Sequence, residues 1–339
     1  MLKGVITGAG KIAQTQHLPA FDDPAVKERA VITAIADSNN VILENLCAKY
    51  PELRYYTSTE EMVKSEKPDF IDICTPPFYH SDGIILAAEN GVNILCEKPL
   101  VHNLAESSEL IDAVNCSGIV FQPCHQYKYS EVWKYFYDEV KKSDPGVMKY
   151  LQFSVFRTEA DRGFQTTGHG WRVDPEVSGG GIIMDIGIHY LYLCLWMLGR
   201  PDSVKARIYK MSGRNYKVED TASIILRYDS LRVEINLTWA AARRSNSASL
   251  MGPSGILLYD GRMIYNYIKS PSTIIKMPDA SDKSTYTGMY VSLISGFISD
   301  IEMGNSGNGG LKEAYLALKL AELCYVSARL KKEMDFDEE

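Results

Sequence analysis

Short apolar runs and segments with helical periodicity alternate along the first third of the chain. Strands are predicted at residues 2–7, 31–36, 54–56, 70–75, 93–96 and 120–123. Helices are predicted at residues 41–50, 59–65, 81–90 and 105–117, with a further helix that ends near residue 21. Strands that alternate with helices of this length form a parallel sheet with helices on both faces. The pattern therefore predicts a doubly wound α/β domain over residues 1–124.

The pattern changes after about residue 146, where many short segments alternate apolar and polar positions. Strands are predicted at residues 148–157, 203–211, 221–228, 231–240, 247–251, 256–259, 263–267 and 273–277. Turn residues such as Asp260 and Gly261 separate them at hairpin spacing, which favours an antiparallel sheet. An apolar helix at residues 184–198 can cover one face.

Residues 125–339 are therefore predicted to form an α+β domain with a large, mostly antiparallel open sheet. Its two C-terminal helices, at residues 289–301 and 311–332, can pack back on the first domain. The acidic tail at residues 335–339 is expected to fray.

Composition and charge narrow the classes of function. The 339 residues carry a net charge of −7, so neither nucleic acid nor an anionic membrane is an expected partner. No apolar run reaches the roughly 18 to 20 residues of a membrane span, and the first strand leaves no room for a signal peptide. The seven cysteines lack metal-ligand spacing, and several fall in apolar runs. Buried free thiols, a cytoplasmic location and no metal site are expected.

The stretch WRVDPEVSGGGIIMDIGIH, residues 171–189, carries the strongest chemical pattern of the second domain. If a helix follows its three glycines, Asp185 and His189 lie four positions apart on one face. A carboxylate beside an imidazole favours the protonated ring and can orient it, as a general acid or base requires. A capped core helix explains the pair as well, since the following residues are almost wholly apolar. The glycines allow close approach of the backbone, either to a ligand or to another element.

Residues 8–13, GAGKIA, match the G-x-G-x-x-[GA] fingerprint of Rossmann domains. Gly8 suits the tight turn, and Gly10 lets the backbone approach a pyrophosphate. The helix that begins near Lys11 and Ile12 offers N–H groups to the anion. The match follows a predicted strand and opens a predicted helix, so it favours dinucleotide binding over an ordinary turn.

Asp37 ends the second predicted strand, 27 positions after Gly10. This exceeds the usual spacing of about 20, and a surface insertion at residues 21–29 accounts for the excess. A carboxylate here accepts both ribose hydroxyls of NAD and repels a 2′-phosphate. Ser38 follows, with no arginine to receive such a phosphate. NAD is therefore favoured, with NADP as the alternative, unless Asp37 merely begins a turn.

Two further segments follow strands at their carboxyl ends, where open α/β sheets bind ligands. They contribute the remaining predicted cofactor contacts, namely Thr75, Pro76, His80, Glu97 and Lys98. A lysine desolvated near a cofactor can orient a hydroxyl and stabilise an alkoxide. A surface salt bridge between Lys98 and Glu97 is the other explanation.

Five motifs in order resemble those of the Gfo/Idh/MocA family, named after glucose-fructose oxidoreductase and inositol dehydrogenase. They are GAGKIA, TPPFYH, EKPL, WRVDPEVSGGG and DIGIH, and they extend over most of residues 4–199. The resemblance implies a Rossmann domain followed by a domain whose open sheet forms homodimers or homotetramers.

The same resemblance implies that Lys98, Asp185 and His189 line the active site. His189 would be the general acid or base, Asp185 would modulate it, and Lys98 would position the reacting hydroxyl and share its proton. A cis peptide bond before Pro99 is common in the family and would aim Lys98 inward.

Candidate substrate contacts surround these residues in the sequence. Residues 125–130, HQYKYS, stand where relatives often carry an arginine-aromatic-x-proline pattern, so the chain departs from the family there. Each candidate is equally compatible with a structural role. The candidates are Gln126, Lys128, His169, Trp171 and Arg172, together with Asp185 and His189.

The function implied is an NAD(P)-dependent dehydrogenase acting on a secondary hydroxyl or ketone of a sugar, sugar acid or cyclitol. Two alternatives stay open. Some relatives cleave glycosidic bonds through transient oxidation by NAD and elimination, and others are non-catalytic regulators that sense NAD and a sugar.

Overall fold

The computed structural model describes residues 1–142, 148–164, 170–268, 270–306 and 309–337. The chain divides into two compact units. Unit 1 contains Met1–Gln126, Gly163–Gly168 and Tyr286–Tyr315. Unit 2 contains Tyr127–Arg162, His169–Thr285 and Leu316–Glu339.

Unit 1 is built on a six-stranded parallel sheet in the order β3-β2-β1-β4-β5-β6. This is the strand order of a Rossmann fold, so the predicted doubly wound domain is confirmed. The chain order reverses between β1 and β4, which is where such sheets bind ligands at their carboxyl edge. The strands are β1 Leu2–Thr7, β2 Ala30–Ala36, β3 Arg54–Tyr56, β4 Phe70–Ile73, β5 Asn93–Cys96 and β6 Phe121–Pro123.

The helices of unit 1 begin with a π-helical segment at Ala13–His17 that runs directly into the first α-helix. Capping residues set several of the starts; the Ser58 hydroxyl, for example, accepts from the N–H of Glu61. The helices are α1 Leu18–Phe21, α2 Pro24–Lys27, α3 Asn40–Cys47, α4 Thr59–Glu66, α5 His80–Glu89, α6 Ser107–Ser117 and α10 Tyr286–Met303.

The segment expected as a surface insertion, residues 21–29, is mostly exposed, and two of its apolar side chains, those of Phe21 and Val26, are buried. Helix α2 lies in it, and its Val26 is fully buried. Arg29 donates to the Ser299 hydroxyl of α10 at 2.9 Å. The insertion therefore lies at the surface, and α10, from the far end of the chain, packs against it.

Unit 2 is built on a nine-stranded sheet in the order β14-β13-β12-β11-β7-β10-β9-β8-β15. The pair β7 and β10 is parallel and the remaining neighbours are antiparallel, as predicted for a mostly antiparallel sheet. The strands are β7 Tyr150–Phe156, β8 Ser203–Tyr209, β9 Thr221–Arg227, β10 Arg232–Thr238, β11 Ser245–Gly252, β12 Gly255–Tyr259, β13 Met263–Asn266, β14 Thr273–Lys276 and β15 Met334–Asp335.

Alternation along the central strands gives the sheet of unit 2 one buried face. Leu151, Phe153 and Val155 of β7 are fully buried, whereas Gln152 and Ser154 between them are half-exposed. The remaining helices are α7 Glu131–Lys142, α8 Pro175–Ser178, α9 Ile188–Leu198 and α11 Gly309–Leu330, and a π-helical segment at Ile183–Gly187 leads into α9.

Two features of the structure differ from the sequence expectations. Helix α7 was not predicted, although Val132, Trp133 and Phe136 have helical spacing and are buried. The tail does not fray at residue 335, because β15 pairs with β8 and Phe336 is buried. Within the described residues, the helical stretch Pro175–Leu198, which contains α8 and α9, is long and apolar enough to cross a membrane, but 72% of its apolar window is buried, as in a core helix.

Candidate active site

The turn after β1 has the backbone that the fingerprint requires. Gly8 has a φ of +89°, and a Cβ there would lie 2.7 Å from the carbonyl carbon of Cys74 and from the N atom of Thr75. A Cβ on Gly10 would meet no heavy atom of the described residues within 4 Å, so its open side can admit a ligand. Ala13 is fully buried where the helix packs on the sheet. Gly8 is therefore needed for the fold, and Gly10 leaves room for a phosphate group.

Asp37 braces this turn from the end of β2. Its Oδ2 accepts from the N–H of Ala9 and its Oδ1 from the N–H of Asn39, both at 2.8 Å. The carboxylate is half-buried beside the glycine turn. Asp37 thus begins a turn and also offers its remaining lone pairs next to the site for the dinucleotide.

The residues after β4 add a second feature that fits a dinucleotide. Among the described residues, none forms a hydrogen bond with the buried Oγ1 of Thr75. A buried hydroxyl without a partner costs free energy unless a ligand or water satisfies it. The open side of Gly10 and this hydroxyl fit a nucleotide at the carboxyl edge of the sheet. The other predicted cofactor contacts of this region are at least partly accessible: Pro76, Lys11 and Ile12 are half-buried, and Ser38 is exposed.

His80 connects the loops after β4 and β5. Its Nδ1 lies 2.9 Å from the carbonyl oxygen of Pro99, and its Nε2 lies 2.9 Å from that of Thr75. Burial lowers the pKa of the ring, although these carbonyl groups act in the opposite direction. Both nitrogens face the main chain, which favours a role in holding the two loops.

Glu97 and Lys98 begin the loop after β5. The carboxylate of Glu97 is buried and accepts from the N–H of Lys98 at 3.1 Å, from the Tyr290 hydroxyl at 2.6 Å and from Nε2 of His17 at 3.0 Å. The Lys98 side chain is half-buried, and the Lys98–Pro99 peptide bond is cis, as the resemblance implies. With its carboxylate engaged by these donors, Glu97 is better suited to support Lys98 than to contact a cofactor.

His17 lies between two buried carboxylates. Its Nδ1 is 2.7 Å from Oδ2 of Asp72, and its Nε2 contacts Glu97. Burial would lower the pKa of His17, but the charge of Asp72 and its hydrogen bond raise it well above 6.5. Burial would raise the pKa of Glu97, but the hydrogen bond and charge of His17, with the charge of Lys98, lower it to about 2. His17 therefore lies between two buried carboxyl groups, and its raised pKa favours the protonated ring.

Two thiols lie beside this cluster. The fold brings the donor atoms of His17, Asp72 and Cys74 within 4.8 Å of one another, and likewise those of His17, Glu97 and Cys124. The spacing of these residues in the sequence gave no sign of either group. Because both nitrogens of His17 already contact carboxylates, the charges are compensated within the cluster.

In unit 2, two of the three glycines pack against other elements of the protein. Gly179 has a φ of +76° and ends α8. A Cβ on Gly180 would overlap the Tyr325 hydroxyl, and one on Gly181 would overlap the main-chain oxygen of Glu219. The close approach considered in the sequence is therefore to another element at Gly180 and Gly181.

Glu219 caps the helical segment that carries Asp185 and His189. Its carboxylate accepts from the N–H of Gly181 at 3.1 and 3.0 Å, from the N–H of Ile183 at 3.1 Å and from the Tyr325 hydroxyl at 2.8 Å. Burial raises its pKa, and the hydrogen bonds partly oppose this. These contacts satisfy N–H groups that the start of a helix otherwise leaves unpaired.

Asp185 lies in the π-helical segment, and its neighbours come from the preceding 3-10 turn Gly170–Val173. Oδ1 of Asp185 is 3.3 Å from Nε of Arg172, whose guanidinium lies 4.2 Å from the ring centre of Trp171. The structure thus brings three of the predicted site residues together. Single π turns inside α-helices are frequent at functional sites.

His189 is buried one turn further along, at the start of α9. Its ring stacks on Tyr127, with 4.3 Å between ring centres and 14° between planes. Lys128 follows Tyr127 and has its ammonium 5.5 Å from the ring centre of Tyr129 and 6.0 Å from that of Tyr192. Aromatic rings therefore bound both the imidazole and this lysine.

Gln126 is buried, and no described residue forms a hydrogen bond with its Oε1. His169 lies outside the described residues.

Sequence reasoning missed four residues that support candidate site residues within one unit or the other, namely His17 and Tyr290 in unit 1 and Tyr127 and Glu219 in unit 2. Only Tyr127 had a local signal, since it lies inside the HQYKYS segment. The other three act across long sequence separations, as in the contact of Tyr290 with Glu97.

Two family models match the chain. The family model described as an oxidoreductase family with an NAD-binding Rossmann fold matches residues 2–125. The model of the Gfo/Idh/MocA C-terminal domain matches residues 150–258. The two models together cover most of both units.

Individual relatives are distant. The chain is 26% identical to D-glucoside 3-dehydrogenase of Escherichia coli over 62% of this chain and 59% of that protein. It is 24% identical to the NADP-dependent scyllo-inositol 2-dehydrogenase IolU of Bacillus subtilis over 72% and 70%, respectively. The WlbA dehydrogenase of Bordetella pertussis, solved with NADH and UDP-GlcNAcA, has a similar fold, with a TM-score of 0.81, 22% identity and coverage of 100% and 99%. The chain belongs to the Gfo/Idh/MocA family of NAD-binding oxidoreductases.

Proposed function

We propose that the protein is an NAD-dependent dehydrogenase that oxidises a secondary hydroxyl of a sugar, sugar acid or cyclitol, or reduces the corresponding ketone. The observation that carries this proposal is the setting of His189, buried against Tyr127 and one turn after Asp185 on a capped helix. An imidazole fixed in this way suits proton transfer to and from a hydroxyl. The activities of the relatives support the substrate class.

Each residue has a proposed role in the proton transfer. His189 takes the hydroxyl proton during oxidation and returns it during reduction. Asp185, which contacts Arg172, modulates His189 through its negative charge one turn before the imidazole. Lys98 orients the reacting oxygen and stabilises its developing negative charge. When bound, the nicotinamide ring supplies the hydride acceptor or donor.

The cofactor would be held by the carboxyl edge of the sheet in unit 1. The open side of Gly10 and the N–H groups near Lys11 and Ile12 would receive the pyrophosphate. Asp37 would accept from the ribose hydroxyls, which favours NAD over NADP. Thr75 offers its buried hydroxyl.

We further propose a cytoplasmic homodimer or homotetramer that assembles through the open face of the sheet in unit 2. Half-exposed side chains of neighbouring strands, such as Gln152, Ser223 and Asn236, line the face opposite the buried one. Sedimentation at increasing protein concentration tests this assembly, and a monomer at every concentration would contradict it.

Absorbance of the reduced nicotinamide tests the function. NAD and then NADP would be mixed with D-glucose, methyl β-D-glucoside, D-gluconate and myo-inositol in turn, with product analysis of each mixture. We expect reduction of NAD with one of these classes. Release of methanol from the glucoside without net reduction would instead support glycoside cleavage, and binding of NAD without any turnover would support a regulator.

Two variants test the residues. Lys98→Met and His189→Ala should each lower kcat by at least about 100-fold, while the Kd for NAD changes less than about threefold. Lys27→Met, an exposed lysine of α2, is the matched control. Near-normal turnover in both Lys98→Met and His189→Ala would overturn the proposed roles.

A further inference from the structure

The loop that carries Lys98 is held on both sides by buried histidines. Before it, Glu97 accepts from His17 and from the N–H of Lys98 itself. After it, His80 lies against the carbonyl oxygens of Pro99 and Leu100. Lys98 is the half-buried residue between these two anchors.

The anchor at Glu97 depends on two other elements of unit 1. His17 is the last residue of the π-helical segment after the fingerprint, and Tyr290 comes from α10. Their rings lie against each other, with centres 4.5 Å apart, and both side chains contact the same oxygen, Oε1 of Glu97. Oε2 of Glu97 is left to accept from Lys98.

We propose that His17 is a positioning residue that acts through Glu97 to hold Lys98 in place for catalysis. This inference rests on the proposed function, in which Lys98 orients the reacting oxygen. His17 and Asp72 are fully buried, so neither can contact a substrate directly without rearrangement.

The charges explain why a histidine is needed. Two buried carboxylates, those of Asp72 and Glu97, lie on opposite sides of one ring. A ring that donates from both nitrogens carries a positive charge and satisfies both of them. Without that charge the carboxylates would be poorly compensated, and Glu97 would turn away from the N–H of Lys98.

The rival explanation is a cluster that only stabilises the fold. Substitutions in such a cluster would lower the stability of the protein. They would change neither the exchange of the Lys98 amide nor the contribution of Lys98 to turnover. Two measurements separate these explanations. One is the effect of His17→Gln on turnover with and without the Lys98→Met substitution. The other is hydrogen exchange at the Lys98 amide.

The experiment compares His17→Gln and Tyr290→Phe with the wild type and with Thr15→Ala, an exposed change on the same helix. His17→Gln removes the charge and one of two oppositely directed donors. Tyr290→Phe removes only the hydroxyl that contacts Glu97 and gives a second test if His17→Gln folds poorly. Amide exchange of the peptide around residues 97–101 is followed by mass spectrometry in the protein without ligand. Turnover is measured with NAD and the active compound of the panel.

We expect exchange at the Lys98 amide to quicken about tenfold in His17→Gln and about threefold in Tyr290→Phe, since each loosens the acceptor. We expect kcat of His17→Gln to fall about 10- to 30-fold, with the KM for the hydroxyl substrate and the Kd for NAD within about threefold. In the Lys98→Met background, His17→Gln should change the residual turnover less than about twofold.

Unchanged exchange at Lys98 in both variants would overturn the proposal, as would a full further loss of turnover in the Lys98→Met background. Failure of the proposed function gives a different result. In that case Lys98→Met keeps its activity, whereas the exchange at Lys98 still reports whether His17 holds the loop.

Discussion

The backbone N–H of Gly181 donates to both carboxylate oxygens of Glu219, at 3.1 and 3.0 Å. This pair joins the glycine run to the residues just before β9, and it anchors the segment that carries Asp185 and His189. The hydroxyl of Tyr325 in α11 completes the arrangement at 2.8 Å. A glycine motif that first suggests ligand binding therefore has a structural purpose at Gly181.

Removing the Glu219 carboxylate should destabilise unit 2 and reduce activity together. We expect Glu219→Ala to lower the free energy of unfolding by about 2–4 kcal/mol, because buried N–H groups and the Tyr325 hydroxyl lose their acceptor. Tyr325→Phe removes one donor and should cost about 0.5–1.5 kcal/mol. Denaturant unfolding of both single variants and the double variant measures the coupling between the two residues.

The double variant decides whether the contact itself matters. If Tyr325 stabilises the unit chiefly through Glu219, the double variant should be about 1 kcal/mol more stable than the sum of the single effects predicts. Strict additivity would mean that the hydroxyl contributes by other contacts. Glu234→Gln, a residue of β10 on the half-exposed face, provides the control for charge removal.

Substitution by alanine should affect the stability of the fold strongly at Gly181 and only slightly at Gly10. A Cβ on Gly181 would overlap the main chain of Glu219, so Gly181→Ala should lower the free energy of unfolding by more than about 3 kcal/mol or prevent folding. A Cβ on Gly10 meets no described atom within 4 Å, so Gly10→Ala should leave the stability within about 1 kcal/mol of the wild type.

Gly10→Ala should nevertheless weaken NAD binding at least about tenfold, because the Cβ fills the side that the pyrophosphate approaches. Calorimetric titration with NAD checks the binding, and thermal unfolding checks the fold. Unchanged affinity in Gly10→Ala would show that the pyrophosphate does not approach Gly10.

Asp37 should set the preference between the two dinucleotides. The wild type is expected to favour NAD over NADP by at least about tenfold in kcat/KM, since a carboxylate repels the 2′-phosphate. Asp37→Ser with Ser38→Arg should reverse the preference, because serine keeps an acceptor near the N–H of Ala9 while arginine can bind the phosphate.

The control for this pair is Asp37→Ala alone, which loses both turn hydrogen bonds. It should weaken binding of NAD more than that of NADP and so remove most of the preference, because the carboxylate that repels the 2′-phosphate is gone. Equal use of NAD and NADP by the wild type would remove Asp37 from the determinants of cofactor choice.

Sequence periodicity predicted the elements whose signals are local. The strands of both sheets, except β15, appear near their expected positions; β5, Asn93–Cys96, has the predicted bounds. The fingerprint succeeded because Gly8, Gly10 and Ala13 act within one turn of chain. Asp185 and His189 could be placed on one helical segment for the same reason, although the π turn between them had no signal in the spacing.

The supporting contacts could not be predicted, because they join residues far apart in the sequence. His17 meets Asp72 across 55 positions, and Tyr290 meets Glu97 across 193. Burial of one histidine with two acidic residues also runs against the expectation that ionisable groups lie outside, so composition gives no warning of the cluster. Helix α7 was not predicted although its signal is local, since Val132, Trp133 and Phe136 have helical spacing.

The buried carboxylate of Glu97 should give the protein a specific sensitivity to acid. The hydrogen bond and charge of His17, with the charge of Lys98, overcome the effect of burial and lower its pKa to about 2. A depressed pKa in the folded state contributes stability that is present above the ordinary value of 4.5. That stability is lost as the pH falls toward 2. The glutamine of Glu97→Gln cannot titrate. The free energy of unfolding of this variant should therefore fall furthest below that of the wild type near pH 6, by on the order of 3 kcal/mol.

The difference in free energy of unfolding between the wild type and Glu97→Gln should therefore shrink steadily between pH 5 and pH 2.5. Guanidinium unfolding at half-unit steps of pH measures it. Glu44→Gln, an exposed residue of α3, should differ from the wild type by a small amount that hardly varies with pH. A constant difference for Glu97→Gln across this range would mean that Glu97 is not held as a carboxylate by His17. The ion cluster would then not be the source of the anchor at Lys98.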